Sequence, residues 1–115
     1  MPSTTNVLDE ARQLVEGFRS ASTKEYAEIV AECETKFVKE IEFERFRENY
    51  TLEEAEEIRQ DLEKLLRWLA KVTERDWKGA PGRDKATQHV EECERLLEEF
   101  EADVYARSDQ AVDPS

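Results

Sequence analysis

The sequence predicts an all-α fold: an up-down-up bundle of three long helices with a shorter N-terminal helix packed alongside. Two observations carry this reading. The segments Thr23–Arg47, Leu52–Asp76 and Arg83–Arg107 contain neither Gly nor Pro, so nothing in them interrupts a helix. In two of these segments the apolar residues also recur at alternating spacings of three and four, the signature of one helical face turned toward a core.

Taken in order, "NVLDEARQLVEGFRSA" reads as the short first helix. Asn6 is its cap, Leu8, Ala11, Val15 and Phe18 lie on one side, and Gly17 weakens its second half. The second helix opens on "STKE", where Ser22 and Glu25 fit a capping box. Tyr26, Val30, Cys33, Phe37 and Ile41 then point inward, and Ile29 and Val38 widen the stripe. The third helix opens on "TLEE", a second box built by Thr51 and Glu54, and carries the seam Ala55, Ile58, Leu62, Leu65, Leu69 and Val72. The fourth carries Ala86, Val90, Cys93, Leu97, Phe100 and Val104. The connections "RENY" and "DWKGAPG" are short, which makes neighbouring helices antiparallel and the second and fourth parallel. A single domain over residues 6–107 is expected, flanked by disordered tails at 1–5 and 108–115.

Charge narrows the function. Over 115 residues, 29 Asp and Glu outweigh 17 Lys and Arg, for a net charge of -12. Such a field repels phosphates, so direct nucleic-acid binding by this chain and attraction to anionic membranes are both disfavoured. No apolar run reaches the roughly 18 to 20 residues a membrane span needs, and "MPSTTNVLDE" lacks a signal-peptide core. The expected location is the cytoplasm. Two Cys do not make a disulfide scaffold at this length.

Few residues offer chemistry. Cys33 and Cys93 each lie about ten residues into parallel helices, which puts them at one height in the bundle, in a layer with Leu65 or Leu66. They read either as small apolar residues filling gaps or as a redox-sensitive or metal-binding thiol pair, although zinc wants four ligands. His89 lacks the Glu-x-x-His partners of a di-iron bundle, since Ala86 stands three residues before it. Nothing resembles a nucleophile elbow, a phosphate-cradling Gly loop or a Ser/His/Asp set, so no enzyme activity and no cofactor are expected.

The turn "TERDWKGAPGRDKA" allows two readings. In the favoured one Trp77 folds back near Tyr26, Val72 and Ala86 and closes the end of the bundle. In the other, Arg75, Trp77, Lys78, Arg83 and Lys85 form a recognition surface beside a helix N-terminus, diluted by Asp76 and Asp84. Trp68, beside the third seam, needs cover from Leu14, Val15 and Phe18 of the first helix or from a second molecule.

The runs "EYAEIVAECETKFVKEIE", "EEAEEIRQDLEKLLRWLAKVTERDWKGAPGRDKA" and "VEECERLLEEFEADVYA", in this order, resemble the helical half of chromate-resistance regulatory proteins of the ChrB type. The resemblance covers about residues 12–107. It implies a bacterial, cytoplasmic, non-enzymatic regulatory or protein-interaction module linked to chromate or stress response, acting on a protein partner or a second copy of itself. Family members typically carry a strand-rich, basic portion ahead of this half, so DNA binding does not carry over, and the chain is expected to be a fragment or a stand-alone relative. Cys33 and Cys93 stand where the family pattern also has Cys, which implies thiols open to oxidation by chromate. The alternative is a bundle that responds to a metal or oxyanion through its thiols or carboxylates.

Overall fold

The computed structural model describes residues 21–112, with side chains through Arg107, and every regular element among them is helical. α1 comprises residues 21–46: helical residues 21–32, a π-helical turn at Cys33–Phe37, and Val38–Phe46. α2 is Leu52–Arg75 and α3 is Arg83–Val112, the latter running past the boundary expected at residue 107. The expected short first helix, with Leu8, Leu14, Val15 and Phe18, lies outside the described residues.

Local sequence explains most helix ends. Thr51 adopts an extended backbone (φ -113°, ψ 153°) and its hydroxyl accepts from the Glu54 N–H at 3.1 Å, satisfying one of the free amides at the start of α2. The box expected at Ser22 does not form. Residues 21 and 22 are already helical and Ser22 is buried, because neither Gly nor Pro stands there to halt the helix and a Ser is tolerated inside one. α1 ends through Glu48, whose φ of 57° is left-handed, while the Asn49 N–H closes back onto the Glu44 carbonyl at 2.9 Å.

The π-helical turn has a local description. The Val38 N–H donates to the Cys33 carbonyl, five residues back, and the Thr35 hydroxyl donates to the Ala31 carbonyl at 2.6 Å. A side chain competing for helix carbonyls accompanies the wider turn.

Cross-helix pairs give the register. Arg75 meets Glu25 at 2.8 Å and the Tyr26 hydroxyl meets Asp76 at 2.7 Å, joining the start of α1 to the end of α2. Arg59 forks onto Glu101 at 2.7 and 2.6 Å, joining the first part of α2 to the later part of α3. Arg45 meets Asp103 at 2.7 Å and His89 lies 3.5 Å from Glu34, so α1 and α3 keep step along their lengths.

Between the helices one apolar cluster holds the inward residues of all three. Tyr26, Ile29, Val30, Cys33, Phe37 and Ile41 of α1 are buried, as are Ala55, Ile58, Leu62, Leu65 and Val72 of α2, while Leu69 is half-buried. In α3 every seam residue from Ala86 to Val104 is buried. At about 1.5 to 3 kcal/mol for each large apolar side chain removed from water, this cluster dominates stability. The paired charges at the surface add little by comparison.

Leu65 and Lys64 test the helical phase. Leu65→Ala should cost about 2 to 5 kcal/mol by lost burial and cavity formation. Lys64→Ala, one position away with its side chain exposed, should stay within about 0.5 kcal/mol. Urea denaturation of both variants checks this, and equal effects would contradict the assignment.

Candidate functional site

The connection from α2 to α3 is built around a buried acid. Asp76 leaves the helix (φ -92°, ψ 67°) with its N–H still bonded to the carbonyls of Val72 at 2.9 Å and Thr73 at 3.2 Å. Its carboxylate, in a residue only 4% exposed, accepts the Tyr26 hydroxyl at 2.7 Å and the Ala80 N–H at 2.8 and 2.7 Å from its two oxygens. Gly79 (φ 70°) and Gly82 (φ 96°) supply the left-handed steps that bring Ala80 back under the bundle, where it is buried. A Cβ on Gly82 would also stand 3.4 Å from the Tyr26 Cβ. Burial, and secondly the bond to Asp76, push the Tyr26 hydroxyl far above its ordinary pKa, so it remains a donor.

Trp77 does not close the bundle: it is 75% exposed. The inward position at this end is taken by Asp76, whose carboxylate is fixed by two donors, and Ala80 fills the remaining space. Trp77, the next residue, is carried outward. The Lys78 ammonium lies 4.6 Å from its ring centroid, a cation–π contact at the surface. Arg75 is committed to Glu25 and also donates to the Lys71 carbonyl at 3.3 Å. Arg83 opens α3, and Lys85 lines a groove of about 380 Å³ with Tyr26, Val30, Pro81 and Gly82. All five residues expected at this turn therefore stand at one end of the molecule, each of them exposed.

The thiols come together as the sequence geometry requires, but inside. Cys33 is 1% and Cys93 0% exposed, both are free, and the two thiols lie against each other. The neighbouring thiol and burial lift Cys93 far above its ordinary range. Among the described residues no group of three or more His, Cys, Asp or Glu side chains is arranged to hold a metal ion.

Two features escaped the sequence reading. One is the Tyr26–Asp76 bond; an Asp ahead of Gly-Ala-Pro-Gly is a turn-forming signal, and a buried Tyr needs an acceptor. The other lies between α1 and α2, where the carboxyls of Glu40 and Asp61 face one crevice and Glu44 and Glu54 add negative charge beside it. Glu44 is buried and meets Asn49 at 2.7 Å and Arg47 at 3.5 Å. Half-buried Trp68 lies along this crevice with Phe37 and Leu65.

These helices form an all-helical unit with an exposed aromatic turn and an acidic crevice. The family model described as "Protein ChrB, N-terminal" matches residues 1–111. The chain belongs to the ChrB-type chromate-resistance regulatory family. The match assigns these helices to the N-terminal region of that protein. No curated protein and no solved structure matches the chain. No helix among the described residues is long and apolar enough to cross a membrane.

The crevice carries a pH dependence. Burial first, then Asp61, Glu54 and Glu44, raise the Glu40 carboxyl above its ordinary pKa, and Lys36 and Lys64 at the rim do not reverse this. A carboxyl raised in the folded state opposes folding when charged, and the opposition fades as pH falls through the folded pKa toward the unfolded value of about 4.3. Glu40→Gln should therefore be more stable than the parent at pH 7, with the gap closing by about pH 4. Urea denaturation across this range checks it; a gap that is absent or independent of pH would contradict it.

Proposed function

We propose that this chain is a non-enzymatic interaction module of bacterial chromate-resistance regulation, a single helical unit in an up-down-up arrangement that docks an acidic segment of a protein partner through the turn at residues 75–85. The exposure of Trp77 carries this reading. An indole three-quarters in water is not stabilising the bundle, while the turn that bears it is fixed by a buried carboxylate. An aromatic held on a rigid backbone loses little entropy when it docks, and aromatic and Arg side chains are the residues on which interfaces most depend. Lys78, Arg83 and Lys85 supply cations on an otherwise acidic chain. The cross-helix pairs from Glu25–Arg75 to Arg45–Asp103 support the arrangement.

A second reading, thiol response to an oxidising oxyanion, draws support from the proximity of Cys33 and Cys93 at the π-helical turn. Their burial works against it, since a thiol reacts as an accessible thiolate.

The turn is tested by Trp77→Ala and Arg83→Ala in the full-length protein, in cells whose chromate response depends on it. Each purified variant should keep its stability within about 0.5 kcal/mol, and each should lose chromate-dependent regulation of a reporter. Variants that regulate like the parent, in a background where deletion of the protein abolishes the response, would contradict the proposal.

A further inference from the structure

A groove of about 360 Å³ runs between α1 and α2 on the face away from α3's seam, floored by Phe37, Leu65 and half-buried Trp68. Its walls carry Glu40 and Asp61, and among the described residues Glu40 has no ion-pair partner. Lys36 and Lys64 stand at the rim, held by Glu32 at 3.2 Å and Asp61 at 4.0 Å; with side chains 74% and 71% exposed they swing aside at little cost. The groove thus joins an aromatic surface to carboxylates that lack enough cations.

We infer that this groove docks a cationic amphipathic helix of another protein, whose apolar face covers Trp68 and whose Lys or Arg side chains meet Glu40 and Asp61. Charge selects the occupant. The chain's own residues 6–19 carry Asp9, Glu10 and Glu16 against Arg12 and Arg19, so they would add negative charge to the crevice. A second copy brings a net charge of -12. A basic helix instead relieves the repulsion among Glu40, Glu44, Glu54 and Asp61. The lining residues run from Glu32 to Glu40 on α1 and from Asp61 to Trp68 on α2, about two helical turns. That length suits anchors spaced i, i+3 or i+4, and i+7 on a docked helix, with a cation free to lie over the Trp68 ring.

The test uses the full chain carrying Trp77→Phe, which leaves Trp68 as the only indole and removes any signal from the turn, so failure here is separate from failure of the turn proposal. The probe is a synthetic amphipathic helix of Leu and Lys. Its addition should shift Trp68 emission to the blue and saturate. Adding Glu40→Gln and Asp61→Asn should weaken binding at least about tenfold, whereas Glu91→Gln with Glu98→Gln, on the exposed face of α3, should leave it unchanged. Equal weakening by both pairs would mean unspecific charge attraction and overturn the inference, as would an unresponsive Trp68. A Trp68 shift that follows protein concentration without peptide would assign the groove to a second copy. A Trp68 already blue and shielded from acrylamide in dilute protein would assign it to the chain's own remaining residues. Either result would also overturn the inference.

Discussion

One buried carboxylate organises the lower end of the bundle. Removing Asp76 from water is costly unless its oxygens are hydrogen-bonded, and here they receive a hydroxyl from α1 and an amide from the turn. Among the described residues no buried side-chain N or O atom lacks a hydrogen-bond partner. The same two bonds fix three things together: where α2 stops, how it sits against α1, and the path that returns the chain into α3. A fully satisfied polar pair inside an apolar cluster specifies geometry more sharply than apolar contacts do, because a displaced partner leaves a charge unpaired. The rigidity of the turn, and so the presentation of Trp77, follows from this node.

The node also divides the surface. At the α2–α3 end Lys78 lies over an exposed indole and Arg83 and Lys85 follow in the exposed first turn of α3, while the α1–α2 face keeps carboxylates so close that burial and repulsion raise Glu40 and Glu54 above their ordinary pKa. A domain of the ChrB-type regulatory family thereby offers opposite charges at two places on one small scaffold. Both surfaces pair an aromatic with ions, the combination that gives an interface its anchor and its selectivity.

Most of the core was legible in the sequence, because burial follows the period of the helix. Every inward residue assigned to α3 is buried, and in α2 only Leu69 is partly open. The thiols of Cys33 and Cys93 met because both lie on the inward stripe of their helices, and the pairs Glu34–His89 and Arg45–Asp103 hold α1 and α3 in step around them. Periodicity fails where the chain leaves the helix. Trp77 was assigned inward because an aromatic at the turn can close the open end of a bundle, but one residue of turn geometry decides between Asp76 and Trp77, and hydrogen bonding chose the smaller, polar side chain. Ser22 misled for a related reason: a capping residue marks a start only where its own backbone lies outside the helix, and Ser22 is helical. The π-helical turn at Cys33–Phe37 left no periodic trace, since a single wider turn barely shifts an apolar stripe.

Amide hydrogen exchange at Ala80 probes the central node most directly. Ala80 lies in an irregular turn, where amides ordinarily exchange fast, yet its N–H is buried against both oxygens of Asp76. If the carboxylate organises this end, the Ala80 amide exchanges as slowly as amides in the middle of α2 and loses that protection in Asp76→Ala. Exchange at Ala80 as fast as at its exposed neighbour Lys78 would show that the turn opens independently of the bundle and that the node does not hold it.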